Sequence, residues 1–210
     1  RTYPLGLHGF AKDEAFEVAE QGEDFVTLRL THSDATLALY PFAFTLELTY
    51  RLTSCGMEVS GLVRNTGDGP MPYAFGLHPG FRWPLTGSGK GEHRLRFDAP
   101  ERPEVPVIAP GGLFSQQRRP VPLDGRELPL DDALFAREAL CFLDAASPGL
   151  EFEGPGGRLR MDWEGFSHLI LWSRPGAPFL CLESWTGHGD PEGFEGDLFD
   201  KPSMILLPPG

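Results

Sequence analysis

The sequence lacks the short patterns that mark several common classes of enzyme and membrane protein. It contains no HExxH, no GxSxG elbow, no P-loop and no GxGxxG after a predicted strand, so metal, serine-hydrolase and nucleotide chemistry are unsupported. Its longest apolar runs are far shorter than a membrane span, and no signal-peptide pattern opens the chain. We therefore predict a soluble protein that does not act at a membrane.

Cysteine is scarce. The three cysteines, Cys55, Cys141 and Cys181, lie in strand-like segments without a CxxC motif or a Cys/His metal spacing. An odd number of scattered thiols fits a reduced cytoplasmic interior better than a secreted, disulfide-bonded protein. We predict a cytoplasmic location and interpret each cysteine as a small buried hydrophobic residue.

Positive charge is scarce as well. The chain has 18 Lys and Arg residues against 30 Asp and Glu residues, which gives a formal net charge of −12. This excess disfavours nucleic acid and anionic membrane surfaces as partners, because both are themselves negative. It places no restriction on neutral ligands, and the sequence makes no prediction about the oligomeric state.

Helical periodicity is nearly absent, and short alternating segments take its place. The 26 glycines and 21 prolines punctuate these segments throughout the 210 residues, as is typical of many strands joined by turns. Because the sequence has no internal repeat and no shift in composition, we predict one domain over residues 1–210. We expect it to be an all-β antiparallel sandwich or barrel. The predicted strands include residues 44–52, 57–65, 93–97, 139–143, 150–153, 158–163, 168–172, 179–183 and 204–207.

Three further regions have specific predictions. Residues 25–30 and 36–40 both alternate and flank a His-Ser-Asp turn, which indicates a hairpin. The proline-rich residues 99–122 predict a long irregular excursion that includes one edge strand. Residues 131–138 form the only segment that favours a helix, and it is short.

The most distinctive stretch surrounds His78, in Pro72-Tyr73-Ala74-Phe75-Gly76-Leu77-His78-Pro79-Gly80-Phe81-Arg82-Trp83. It presents one histidine at the end of an apolar strand, next to residues that fix a turn. Because Phe81 and Trp83 follow, we interpret the stretch as a fixed acid or base beside an aromatic ligand surface. The alternative is a structural histidine that caps a strand end.

A second stretch places a carboxylate at the end of an apolar strand. Four apolar residues run into Glu183, and the period of two puts it on the face of Cys181, opposite Leu180 and Leu182. Burial there would raise its pKa, and either protonation state suits general acid or base catalysis. Trp185 just beyond favours a sugar-stacking site. The alternatives are a strand that ends at Leu182 with Glu183 in solvent, and a Trp185 in the core.

The remaining histidines are weaker candidates. His8 precedes a glycine in a turn-like run near the start of the chain, which alone argues little for function. We assign the others to the surface or to packing, with His93 opening a surface strand. These others are His32, His93, His168 and His188.

Five stretches, taken in order, resemble the aldose 1-epimerase (galactose mutarotase-like) family, specifically its more divergent bacterial branch. The stretch around His78 is the most specific, and the five spread over nearly all of the chain. They are residues 4–13, 40–44, 71–81, 131–134 and 181–187.

This resemblance implies a large twisted antiparallel β-sandwich, the galactose mutarotase-like supersandwich, with an open groove and no cofactor or metal. The partner would be a free hexose, whose reducing-end carbon reacts. By position, His78 matches the family's general acid and Glu183 its general base. His8 matches a histidine that contacts the sugar, and Lys12 stands where the family usually has an arginine. Trp185 and Asp190 fall in the loop that shapes the groove.

The chain also departs from the family pattern. Lys12 cannot reproduce the bidentate fork of an arginine, and Ser184 stands where a proline often follows the base. Family members have further N-terminal strands, with a substrate-contacting arginine, before the His8 motif. The resemblance therefore implies strands missing before Arg1, through either a truncated product or an incomplete chain.

The predicted function is the interconversion of α and β anomers of a free hexose by acid/base ring opening. It requires His78 and Glu183 to face one groove at roughly sugar-ring separation. A hexose-6-phosphate epimerase is an alternative within the fold, although Lys12, Arg82 and Lys90 are scattered along the chain. A non-catalytic sugar-binding module and a structural β-sandwich partner are the alternatives from other classes.

Overall fold

The computed structural model describes residues 2–85, 87 and 89–210, and these residues are organised mainly as β-strands. The helical segments among them are short: α1 (Asp34–Leu39) and 3-10 helices at Ala11–Asp13, Lys90–Glu92, Asp132–Phe135 and Leu198–Asp200. No helix in this described part of the chain has the length and apolar character needed to cross a membrane. The prediction of an all-β protein with almost no helix is confirmed.

The described chain divides into two compact units, residues 2–73 with 206–210 and residues 74–205. In the first unit, four strands form an antiparallel sheet in the order β1-β2-β3-β4. The predicted strand at residues 44–52 is confirmed with its bounds, and its alternation buries Phe44 and Leu46. The strands are β1 (Glu17–Gln21), β2 (Phe25–Thr31), β3 (Phe44–Leu52), β4 (Met57–Asn65) and β5 (Met71–Tyr73).

Two predictions for this unit are wrong. Residues 36–40 belong to α1 and its C-cap instead of the second strand of a hairpin, because Ser33 and Thr36 form a capping box. The Ser33 hydroxyl accepts from the Thr36 amide at 3.2 Å, and the Thr36 hydroxyl accepts from the Ser33 amide at 2.8 Å. These bonds satisfy the first turn of a helix, and local capping therefore overrides the alternation. Cys55 is exposed in a turn, whereas Cys141 and Cys181 are buried as predicted.

The second unit contains two larger sheets whose apolar faces share one core. One sheet has the order β11-β8-β13-β14, and the other has β12-β15-β16-β6 with β7 also paired to β16. Buried Leu95, Phe152, Leu171 and Leu182 illustrate how both sheets contribute to a single hydrophobic cluster. The strands are β6 (Gly76–Leu77), β7 (Gly80–Arg82), β8 (Arg94–Phe97), β9 (Glu104–Ala109), β10 (Leu113–Pro120), β11 (Glu127–Pro129), β12 (Leu140–Phe142), β13 (Gly149–Gly154), β14 (Gly157–Asp162), β15 (His168–Trp172) and β16 (Phe179–Trp185). Most of β17 (Ile205–Leu207) belongs to the first unit, where it pairs with β5.

The proline-rich segment at residues 99–122 is more regular than predicted. It forms the antiparallel pair β9 and β10, whose turn uses Gly111 and Gly112 at positive φ. The pairing shifts register between Phe114 and Arg118, so the irregularity is confined to a bulge. The predicted helix at residues 131–138 is reduced to the 3-10 helix Asp132–Phe135, where the Asp131 carboxylate accepts from the amides of Ala133 and Leu134.

Candidate active site

The site is built on β16 and on the two short strands that pair with it. Trp185 pairs with Gly76, Ser184 with Leu77 and Cys181 with Gly80, so one continuous antiparallel register runs through β6 and β7. That register places His78 opposite Glu183. Directly opposed residues on one face have Cβ atoms about 4.5–5.5 Å apart, close enough for their side chains to interact.

The two side chains are in direct contact. His78 Nε2 lies 3.2 Å from Glu183 Oε1, although the residues are far apart in the sequence. The imidazole is 41% exposed and the carboxyl only 1%, so the pair joins a buried group to one that solvent and ligands can reach. The contact is closer than the sugar-ring separation expected from the sequence. The structure therefore brings together the two residues predicted as acid and base.

The surroundings of Glu183 explain its unusual ionisation. Buried Ile170 on β15 is its partner across the sheet, and Cys181 lies on the same face. Burial raises the pKa of the Glu183 carboxyl to about 8, and a hydrogen bond with Trp185 lowers it by a smaller amount. Its Oε2 atom is buried without a hydrogen bond of ordinary geometry to the described residues. A carboxyl that ionises near neutral pH suits proton transfer.

The two glycines flanking His78 have a packing role on this face. A Cβ at Gly76 would lie 2.6 Å from Trp185 Cδ1, so the indole occupies the space that a side chain would need. A Cβ at Gly80 would lie 3.7 Å from Cys181 Sγ, an ordinary contact distance. The pattern Gly-Leu-His-Pro-Gly therefore leaves His78 as the one large side chain that this segment places on the site face.

The predicted aromatic surface at Phe81 and Trp83 is wrong. Trp83 is fully buried in the shared core, and Phe81 is partly buried against it. The reason is the period of two: residues 78, 80 and 82 face the site, so residues 79, 81 and 83 face the core.

Trp172 also lies at the site, although no sequence motif pointed to it. It pairs with Cys181 across the sheet, and its ring lies edge-on to His78 with 6.3 Å between centroids. The indole is 36% exposed and also packs against Phe179. Trp172 ends an alternating strand two positions after Ile170, so both side chains lie on the same face of the sheet. This spacing was the signal in the sequence that could have identified Trp172 as a site residue.

The other predicted site residues are placed as follows. Trp185 lies beside Glu183 on the site face, since the two are two positions apart on β16. Asp190 lies in the following loop, where its carboxylate forms an ion pair with Lys201 Nζ at 2.9 Å. His8 and Lys12 belong to the first unit. His8 is exposed with a positive φ of 64°, and Lys12 forms an ion pair with Asp13 in the 3-10 helix Ala11–Asp13.

Two of the discounted histidines are packing residues. His93 is buried rather than superficial: its Nε2 accepts from the Leu85 amide at 3.1 Å and its Nδ1 lies 3.1 Å from the Gly89 carbonyl. His168 is also buried and accepts from the Asp144 amide through Nδ1. Its neighbour His188 has its ring centroid 5.2 Å away, and burial lowers the pKa of both imidazoles.

Comparisons with known proteins agree with this architecture. A family model described as aldose 1-epimerase matches residues 1–134. The plasmid-encoded protein LacX of Lactococcus lactis subsp. lactis is 32% identical over all of this chain and 73% of its own length.

Solved structures are similar as well. A galactose mutarotase-like protein from Lactobacillus casei superposes with a TM-score of 0.91 at 28% identity, over 100% of this chain and 74% of that protein. A galactose mutarotase related enzyme from Lactobacillus acidophilus gives 0.88 at 27% identity, over 100% and 72%. These matches confirm the galactose mutarotase-like fold.

Proposed function

The chain belongs to the aldose 1-epimerase family, and from that premise we propose that it interconverts the α and β anomers of a free hexose, with Glu183 as general base and His78 as general acid. Family and fold support a mutarotase-like, carbohydrate-binding isomerase. The choice of a free hexose and the roles of the two residues are the finer part of the proposal.

The observation that supports it best is the contact between His78 and Glu183. Anomer exchange moves one proton at the anomeric hydroxyl and one at the ring oxygen, and both oxygens are bonded to the same carbon. An acid and a base that act together must therefore reach neighbouring atoms. A nitrogen and an oxygen 3.2 Å apart, with the imidazole exposed, meet that requirement.

The proposed reaction needs only these two groups. The Glu183 carboxylate takes the proton of the anomeric hydroxyl while the His78 imidazolium gives a proton to the ring oxygen, and the bond from the ring oxygen to C1 breaks. Rotation about C1–C2 turns the other face of the aldehyde toward the released hydroxyl. Reversal of both transfers closes the opposite anomer and restores the charges on both residues. Each transfer contributes about 10²–10⁴ in rate.

The site face also offers contact surfaces for the sugar. The exposed indole of Trp172 stands beside His78, and Trp185 lies beside Glu183. Aromatic planes suit the apolar faces of pyranose rings because they bury carbon while leaving the hydroxyls free to form hydrogen bonds. The family resemblance adds Asp190 as a further substrate contact in the same unit, and the roles that it implies for His8 and Lys12 stay predictions.

Polarimetry of freshly dissolved α-glucose and α-galactose tests the proposal. We expect the wild type to accelerate mutarotation, and His78→Ala and Glu183→Ala each to lose at least about 100-fold of that acceleration. Glu127→Ala, an exposed glutamate on β11 in the other sheet, is the control and should retain the wild-type rate.

Equal rates for the wild type and both site variants would refute the roles of His78 and Glu183. Sugar binding in calorimetry without any acceleration would indicate a binding module instead. Faster reaction with hexose 6-phosphates than with free hexoses would move the substrate to the phosphorylated class.

A further inference from the structure

We propose that the site face also binds a thiophilic divalent cation, Zn²⁺ by its ligand chemistry, through His78, Cys181 and Glu183. Such a cation would occupy the acid and the base together and would therefore inhibit proton transfer. Its binding does not depend on the proposed catalytic function, since it rests on three donor atoms and the space between them.

The donor atoms already lie close to one another. One nitrogen, sulfur or oxygen atom from each of the three residues lies within 4.8 Å of the others. In a tetrahedral Zn²⁺ shell with metal–ligand distances of roughly 2.0–2.1 Å, a nitrogen and an oxygen ligand lie about 3.3 Å apart. The 3.2 Å between His78 Nε2 and Glu183 Oε1 matches this spacing. A thiolate ligand at roughly 2.3 Å would lie about 3.6 Å from each, so the sulfur needs only a small movement.

The backbone holds these donors in neighbouring positions. Glu183 and Cys181 are two residues apart on β16 and share a face, and the common register puts His78 opposite Glu183. Gly80 lies opposite Cys181, and its missing side chain leaves open space beside the sulfur. Ligands on a regular sheet are preorganised because packing on the other face restricts their backbones.

A buried oxygen points to the same conclusion. Glu183 Oε2 is enclosed without a hydrogen bond of ordinary geometry to the described residues. Buried carboxyl oxygens usually have partners, so an exception of this kind calls for an explanation. A cation bound through Oε1 would neutralise the carboxylate charge, which both oxygens share, and would therefore offset the burial of this charge.

The types of donor select the cation. Thiolate and imidazole ligands suit Zn²⁺, whereas Mg²⁺ and Ca²⁺ prefer oxygen ligands alone. Three protein ligands leave a fourth position, as in zinc sites that keep one place open to water. Burial raises the pKa of the Cys181 thiol to about 11, so binding at neutral pH must displace its proton. Coordinated imidazole cannot donate a proton from the same nitrogen.

Cobalt substitution gives a direct test. The exposed thiol of Cys55 would bind metal adventitiously, so all proteins carry Cys55→Ser. We expect one Co²⁺ per chain, a thiolate charge-transfer band, and the intense visible absorption of a tetrahedral ion, all removed by Zn²⁺. Cys181→Ser should lower the affinity at least about tenfold and abolish the charge-transfer band. Cys141→Ser is the matched control, because Cys141 is buried on the same face but lies two strands away from Glu183. This variant should change neither the Co²⁺ affinity nor the charge-transfer band.

Equal affinity and an unchanged charge-transfer band in Cys181→Ser would overturn the proposal. The absence of any Co²⁺ binding to the parent protein, which carries only Cys55→Ser, would also overturn the proposal. His78→Ala provides a second variant at a more exposed position, and unchanged Co²⁺ affinity there would also contradict the site.

Polarimetry separates this inference from the proposed function. If the parent accelerates mutarotation, Zn²⁺ should suppress the acceleration and a chelator should restore it, whereas an enzyme that keeps its full rate with bound Zn²⁺ would contradict the inhibitory role. If the parent does not accelerate mutarotation, the proposed function fails, and the cobalt spectra alone decide whether the metal site exists.

Discussion

The two faces of β16 contrast although their residues alternate along one strand. Leu180 and Leu182 are fully buried in the core that the two sheets share. Cys181, Glu183 and Trp185 point the other way, where the carboxyl of Glu183 is buried and its Oε2 atom has no hydrogen bond of ordinary geometry to the described residues. Cys181 and Glu183 are as buried as the two leucines, but only the core face is apolar throughout. The strand therefore separates the side chains that stabilise the unit from those available for chemistry.

This contrast explains how the sheet can contain a buried carboxyl that lowers the stability of the fold. An ionised group that loses water without full hydrogen bonding destabilises a protein by several kcal/mol in order of magnitude. The core face of the same strand supplies compensating apolar burial. The register with β6 and β7 is then maintained by packing behind the site, and His78 stays opposite Glu183.

The largest expected effect on stability lies on the core face. Leu182→Ala removes a fully buried side chain from the shared core, and we expect the free energy of unfolding to fall by about 2–5 kcal/mol. Chemical denaturation measures the difference. Cys181→Ala on the site face is the matched control and should lower the free energy of unfolding by less than about 1.5 kcal/mol, because it removes a single buried sulfur atom. A larger loss from Cys181→Ala would contradict the contrast.

On the site face, replacing the carboxyl should alter the pH dependence of stability. Folding raises the pKa of Glu183 from 4.5 to about 8, so between these pH values the folded state holds a proton that the unfolded state has released. The stability from this group is full below about pH 4.5 and is lost as the pH rises to about 8.

Relative to the metal-free wild type, the free energy of unfolding of Glu183→Gln should therefore rise by about 4 kcal/mol across that interval. Denaturation curves at several pH values, measured with a chelator present, follow the difference. Glu127→Gln, at an exposed position of β11, is the control and should not alter the dependence of stability on pH over this interval. Parallel curves for wild type and Glu183→Gln would show that the carboxyl is not buried at an energetic cost.

The two glycines that lie two positions before and after His78 test how closely the site face is packed. Gly76→Ala introduces a Cβ at 2.6 Å from the Trp185 ring, and we expect a loss of about 1–3 kcal/mol in stability with a shift in tryptophan fluorescence. Gly80→Ala meets Cys181 Sγ at 3.7 Å and should be tolerated with little spectral change. Similar spectra and stabilities for both variants would contradict the close packing of Trp185 on the site face.

The smallest expected effect is at the exposed rim. Trp172→Ala removes ring contacts with Phe179 and His78, and we expect a loss of only about 1 kcal/mol in stability. If the indole contacts the sugar, KM should rise severalfold, while Trp172→Phe should retain most of the affinity. A reduced kcat with unchanged KM would place Trp172 in the positioning of His78 instead of in sugar binding.

Local patterns predicted much of the strand structure and the face of Glu183. The period of two placed Cys181 and Glu183 together and both leucines opposite, as the structure shows. The same period of two, applied to residues 78–83, places Trp83 on the core face. The aromatic residues nearby suggested a ligand surface instead, and that interpretation was wrong. The helix at Asp34–Leu39 was missed because its signal lay in the Ser33–Thr36 cap.

Sequence patterns could not provide the pairing of β16 with β6 and β7. It joins residues about a hundred positions apart, and nothing local specifies which strands become neighbours. The family resemblance supplied the pairing of roles. The burial of Glu183 depends on Ile170 from another strand, so its raised pKa also emerges only when the sheet is assembled.

The central claim is that His78 and Glu183 act as one acid–base unit. A kinetic double-mutant cycle tests it, with polarimetric rates for the wild type, His78→Asn, Glu183→Gln and the double variant after subtraction of the spontaneous reaction. We predict that each single change removes at least about 100-fold of the acceleration and that the double change removes little more. Losses that multiply in the double variant, or a single variant that retains most of the wild-type rate, would contradict the account.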